Sequence, residues 1–203
     1  MVLMQSRSID YPENYDPSDV IMDVFFCSAL MAIYDDIVVN STASQRSIGD
    51  VLKEYEFNDQ ILNYVTGDHP PPFGVSWVGA ERVFCVWNVE NLHYCTLVFI
   101  INDATIEVYD CNKRANSIEK VDGLIKTHSD VVFNVAQKLR QVKHVEGLPQ
   151  DKIGEAYGIY SLKFIEFIMV GQNMEGLRTN KIHAFREKFA IEIFHECLEP
   201  PII

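Results

Sequence analysis

Three stretches decide the fold class: Arg82-Val-Phe-Cys-Val-Trp-Asn88, Tyr94-Cys-Thr-Leu-Val-Phe-Ile-Ile101 and Thr105-Ile-Glu-Val-Tyr-Asp110. All are rich in Val, Ile, Phe, Tyr and Trp, residues whose branched or flat side chains suit a pleated, half-buried surface. The third alternates, with Ile106, Val108 and Asp110 on one side of a strand. Asn102-Asp103-Ala104 reads as the turn that folds the second strand back onto the third. Outward from these strands the apolar period becomes helical. Upstream, Asp16-Pro17-Ser18-Asp19 supplies an N-cap, a proline at the first helical position and an acidic first turn, which predicts a helix start. The apolar run behind it includes Val20, Val24, Ala29 and Met31. Segment 59–66 suits a short helix, and His69-Pro-Pro-Pro-Phe-Gly74 an extended loop. Downstream, Val121 to Val142 puts Leu124, Ile125, Val131, Val132, Val135 and Leu139 on one broad helical face. Gly147 to Gly154 reads as a loop, Tyr157 to Val170 as a buried helix, and Ile182 to Leu198 as an amphipathic helix carrying Phe185, Phe189, Ile193 and Phe194. Helices, then a strand cluster, then helices make an α+β chain.

The 203 residues fit one domain, 1–203, with a helical part over 1–74 and a strand-bearing part over 75–203. Hydrophobic residues make up 48%, enough for a packed core. Apolar stretches such as Leu97 to Ile101 fall far short of the ~20 residues that span a bilayer. Met1 to Tyr11 has no continuous apolar core of the kind a signal peptide needs. A net charge of −12 supplies nothing for a phosphate backbone or an anionic lipid surface, so neither nucleic acid nor membrane is an expected partner. Cys27, Cys85, Cys95, Cys111 and Cys197 show no repeated spacing. With no secretory signal, they read as free thiols in a reducing compartment, the nucleus or the cytoplasm.

Three arrangements could carry chemistry. His93 heads one strand and Asp110 ends its partner, so the two can meet as a carboxylate fixing the tautomer of a catalytic imidazole. The same residues can also be read as a strand cap and a turn start. His93 and Cys95 lie two apart, with Cys111 beyond, in a spacing that touches on metal ligation. No Cys-x-x-Cys or His-x-x-x-His pair accompanies them, and Cys111 should point away from Asp110, so neither metal nor cofactor is expected. Cys85 and Cys95 read as small core residues. The loop Leu148 to Gly158 opens directly onto a buried helix, a place where the helix N-terminus would lower a thiol pKa. It contains no cysteine, serine or threonine.

Trp77-Val-Gly-Ala-Glu-Arg-Val-Phe84, Asn88-Val-Glu-Asn-Leu-His-Tyr94 and Ile106-Glu-Val-Tyr-Asp110 together resemble the ubiquitin-like-protein-specific (SUMO) cysteine proteases. The likeness is nearest to the transposon-associated versions abundant in plants. It extends through Gly158-Ile-Tyr-Ser-Leu-Lys-Phe-Ile-Glu166 and Phe185-Arg-Glu-Lys-Phe-Ala190. In that family a His-Trp pair opens a strand and a Tyr-Asp pair ends the next. A glutamine-bearing loop then leads to Asp-Cys-Gly at a helix start. The resemblance implies a papain-like α+β fold with a mostly antiparallel central sheet flanked by helices. It assigns His93 as the general base and Asp110 as its orienting residue. Tyr157 falls at the nucleophile, Ala156 at the preceding aspartate, and Asp151 at the oxyanion-donating glutamine, with Gln150 one residue early. Tyr94 takes the place of the tryptophan that walls the channel for the Gly-Gly tail.

These departures disable the chemistry the resemblance implies. A phenol with a pKa near ~10 cannot supply a thiolate's nucleophilicity, and its ring fills space the scissile carbonyl needs. A carboxylate at the oxyanion position opposes the developing charge, where losing one donor alone costs ~10²–10³ in rate. The expectation is a catalytically inactive, protein-binding pseudoprotease. Its partner would be a ubiquitin-like modifier or another neutral-to-basic protein. The rival expectations are an active cysteine-type deconjugating peptidase, or a captured transposon fragment with a new regulatory role.

Overall fold

The computed structural model describes residues 2–89, 93–112, 125, 141–151 and 154–198. Its centre is a five-stranded sheet in the order β1 (Asp19–Ile21), β2 (Arg82–Val89), β3 (His93–Ile100), β4 (Thr105–Tyr109), β5 (Gln141–His144). The long central ladders, β2 with β3 and β3 with β4, are antiparallel, while β1 on β2 and β5 on β4 are parallel. Alternate residues of β2 go to opposite faces. Val83, Cys85, Trp87 and Val89 pack into one apolar cluster, and Phe84 and Val86 into a second. A strand covered on both sides has no solvent face, so its sequence is almost uninterruptedly apolar.

Helices α2 (Phe25–Ser44), α3 (Ile48–Lys53) and α4 (Asp59–Thr66) belong to the first cluster, through Phe26, Leu30, Ile33, Ile37, Leu52 and Tyr64. On the other face lie α1 (Val2–Asp10), α5 (Tyr157–Met169) and α6 (Ile182–Leu198), through Met4, Tyr160, Phe164, Ile165 and Ile182. Helix α5 is tied to the sheet where the Thr96 hydroxyl of β3 donates to the Ser161 carbonyl at 2.8 Å. This bond and the Phe164 packing lay α5 along the sheet.

The helix expected at Asp16–Asp19 does not start there. The Asp16 carboxylate accepts from the Ser18 amide and hydroxyl in a local turn, and Asp19–Ile21 pairs with Arg82–Phe84 as an edge strand. A side chain that closes its own turn competes with a cap. Asp23 serves α2 instead, accepting from the Phe25 and Phe26 amides at 2.9 and 3.0 Å. The short helix at 59–66 forms, capped by Asn58, and the helices at 157 and 182 begin at those residues. The proline-rich segment after α4 contains the turn closed by Phe73 N to Pro70 O. The long helix read over Val121 to Val142 lies outside the described residues apart from Ile125, which is helical and buried, and its last two positions. Gln141 and Val142 are not helical but open β5, since Val142 pairs beside Ile106 and extends the sheet. Helix α1, which no sequence signal suggested, covers the sheet edge, with Gln5 donating to the Ile21 carbonyl at 2.8 Å.

Candidate active site

The antiparallel β3–β4 ladder brings the start of β3 and the residue after β4 to the same end of the sheet. There His93 Nε2 and Asp110 Oδ1 meet at 2.6 Å, with the imidazole fully buried. Burial alone would raise the Asp110 carboxyl. The hydrogen bonds from His93 and the Asn112 amide, with the His93 and His144 charges, outweigh it and hold the group below its ordinary value. The N-terminus of α5 comes to this same place. The Tyr157 ring packs edge-to-face on His93, centroids 4.7 Å apart at 88°, and its hydroxyl accepts from Asn112 Nδ2 at 3.1 Å. Asn112 stands in no motif of the sequence. Its only signal there is its place two residues after Asp110, at the close of a strand.

The loop before α5 is organised by Asp151. Its two carboxylate oxygens accept from the Gly154 and Ala156 amides at 3.1 and 2.8 Å, and its own amide donates to the Cys111 carbonyl at 2.7 Å. A buried carboxylate therefore sits on main-chain donors directly ahead of the helix, the kind of group an oxyanion would otherwise use. Gln150 is turned to other work. Its Nε2 donates to the Asp110 and Leu148 carbonyls, each at 3.3 Å, and so braces the strand end. Gly154 has φ +82°, and a Cβ there would stand 2.5 Å from the Tyr157 hydroxyl oxygen, so the loop needs glycine at this point.

Tyr94 is on the other side of β3 from His93 and is 38% exposed. It lines an apolar cleft of about 430 Å³ together with Val24, Val86, Ala156, Gly158, Ile159 and Leu162, with Glu155 and Arg186 at its edge. Arg186 is held there by donating to the Glu155 carbonyl. Val24 and Arg186 carried no sequence signal for this role, because the strand and helices that bring them together are distant in the chain. Cys95 and Cys111 are both buried, and burial, with the Asp110 charge next, pushes each pKa up. Among the described residues no group of three or more His, Cys, Asp or Glu side chains is placed to hold a metal ion. No described helix is long and apolar enough to cross a membrane.

A mixed sheet with an imidazole–carboxylate pair at one end, facing the N-terminus of a helix packed across it, is the arrangement of a papain-like cysteine peptidase. The catalytic domain of the Ulp1 protease family matches residues 80–200, more than half of the chain, and the chain belongs to that family. No curated protein matches it. Among solved structures it is similar to the C-terminal Ulp1 protease domain in complex with Smt3, the yeast ortholog of SUMO. That likeness has a TM-score of 0.58 and 13% identity, covering 91% of this chain and 69% of the other. It is also similar to the SUMO protease Ulp1 with its catalytic cysteine oxidised to a sulfinic acid, with a TM-score of 0.53, 13% identity and coverage of 85% and 65%. Identity at this level speaks for the fold alone.

Proposed function

We propose that this chain is a catalytically inactive member of its family, a pseudoprotease that acts by binding protein. The observation that carries the reading is the helix start itself. Where the chemistry requires a thiolate beside His93, a phenol ring lies on the imidazole. Asp151, at the place the resemblance gives to the oxyanion-donating glutamine, adds to this with a carboxylate that accepts from the Gly154 and Ala156 amides. The whole of 1–203 acts as one unit in this reading, in the nucleus or cytoplasm, where its thiols stay reduced.

The binding partner is a ubiquitin-like modifier or another neutral-to-basic protein. The Ulp1 domain that this fold resembles was solved with Smt3, which supports the first choice. The charge distribution supports a basic partner: residues 1–74 hold 12 of the 29 acidic residues and only three of the 17 basic ones. Such a field speeds encounter more than it tightens the complex. The alternative, an active deconjugating peptidase, draws on the intact His93–Asp110 bond. It lacks a nucleophile among the described residues at the helix start. A regulatory role retained after capture of a transposon fragment would keep the fold and leave the cleft idle.

The deciding experiment uses the purified chain as bait against SUMO and ubiquitin panels, alongside electrophilic probes made from the same modifiers. Retention of a modifier without covalent capture is the expected result. Capture that depends on one cysteine and on His93 would reverse the reading in favour of the peptidase.

A further inference from the structure

His93 is fully buried, its Nε2 faces Asp110, and its Nδ1 makes no hydrogen bond among the described residues. The face of the site beyond the imidazole is taken up by Tyr157, perpendicular to it at 4.7 Å. Three features fit that phenol closely. The ring contact has the edge-to-face geometry that aromatic pairs favour. The hydroxyl has a dedicated amide donor in Asn112. Gly154 leaves room for the oxygen where any side chain would collide with it. The chain neighbours of both rings, Tyr94 beside His93 and Ala156 and Gly158 beside Tyr157, line the open cleft, yet the imidazole has no exposed surface.

We propose that the space over His93 is an aryl-binding site whose resident ligand is the chain's own Tyr157 ring. The ring seals the His93–Asp110 pair off from the cleft, and Asn112 latches it there. The ligand class follows from the walls: a flat ring against the imidazole, with one hydroxyl accepting from an amide in a gap kept open by glycine. This assignment rests on the pseudoprotease reading of the same site.

The test uses Tyr157→Ala, with folding checked by circular dichroism, and diethyl pyrocarbonate, which acylates accessible imidazole nitrogens. Peptide mass spectrometry reads His93 against the other five histidines as internal references. In the parent chain His93 should stay unlabelled, and in Tyr157→Ala it should label at least about tenfold faster, as a site freed from the need for local opening. p-Cresol, the tyrosine side chain as a free molecule, should slow that labelling and raise the melting temperature of the variant but not of the parent. Labelling of His93 as slow in folded Tyr157→Ala as in the parent, or no protection by p-cresol, would overturn the proposal. Should Tyr157→Ala fail to fold, Asn112→Ala keeps the ring and removes only the latch. Unchanged His93 labelling in that variant likewise sinks the idea. Capture of the parent by a modifier-derived electrophile counts against the pseudoprotease reading, whereas failure of p-cresol protection counts against the aryl site alone.

Discussion

Tyr157 lies at right angles on His93, with ring centroids 4.7 Å apart, at the N-terminus of the helix that packs across the sheet. The imidazole and its carboxylate partner therefore keep their hydrogen bond while an aromatic ring packs on the imidazole. To act as a base, an imidazole must lie within hydrogen-bond reach of the proton it abstracts. The phenol is held there from two sides, by the Asn112 amide on its hydroxyl and by the edge-to-face contact on its ring.

Placing a thiol at position 157 should not produce activity. Tyr157→Cys returns a thiol beside His93 but leaves Asp151 on the Gly154 and Ala156 amides. The developing oxyanion would then meet a carboxylate where it needs donors. No hydrolysis of SUMO or ubiquitin carboxy-terminal fluorogenic substrates is expected from either the parent or Tyr157→Cys. Turnover by the single variant would show that Asp151 is not an obstacle.

The Asp110 carboxylate should make stability depend on pH in a defined direction. Its folded-state pKa lies below the ordinary 3.8, with burial opposing the shift and the hydrogen bonds from His93 and Asn112 producing it. A depressed carboxylate contributes its full stability above the unfolded-state pKa and loses it as pH falls through the lower folded value. Asp110→Asn, which removes the charge from a buried hydrogen bond, should cost about 1.5–3 kcal/mol near neutral pH. Urea melts of the two chains should converge as the pH drops below about 4. A gap that stays constant down to the most acid point would show that Asp110 is not the group responsible.

Much of this arrangement was written locally in the chain, and the exceptions share a cause. The strands at 82, 94 and 105 announced themselves because their β-branched and aromatic residues have few other uses. The helix starting at Tyr157 was visible because its apolar run follows a loop that ends in glycine. Strand β1 is hidden in the sequence because Asp16 can close a turn with Ser18 as readily as cap a helix, and only the pairing of Asp19 with Arg82 decides between them. Strand β5 is legible only from Ile106, the partner of Val142 across a parallel ladder. Likewise, the resemblance assigns places to Asp151 and Gln150, but what their side chains bond to depends on which amides and carbonyls lie within reach. Spacing does not say that Asp151 turns inward to Gly154 and Ala156, or that Gln150 turns back to Asp110.

Binding of a free modifier through the cleft should be weak. Among the described residues, Tyr94 is the one large aromatic side chain that lines the cleft, together with Val24, Val86 and Leu162. A second aromatic wall of the kind that grips a thin Gly-Gly segment would add ~0.5–1.5 kcal/mol beyond buried area. Calorimetry should find any modifier affinity little changed by Tyr94→Ala, with the energy residing elsewhere on the surface. Tight binding that collapses in Tyr94→Ala would instead place the partner in the cleft.

Gly154 and Tyr157 should be energetically coupled. An alanine at 154 faces two separate penalties. One is the left-handed backbone at φ +82°, which costs a non-glycine residue about 1–2 kcal/mol. The other is the collision of its Cβ with the Tyr157 hydroxyl, 2.5 Å away. Only the second disappears when the hydroxyl is removed. Tyr157→Phe alone should be mildly destabilising, because it leaves Asn112 Nδ2 without its acceptor. In the Gly154→Ala background the same change should be neutral or stabilising, so the double-mutant cycle closes with a non-zero interaction term of favourable sign. Chemical melts of the four chains measure that term. Strict additivity would mean that the loop relaxes away from Tyr157 at no cost, and that the tight approach of the hydroxyl to Gly154 does not hold the ring over His93.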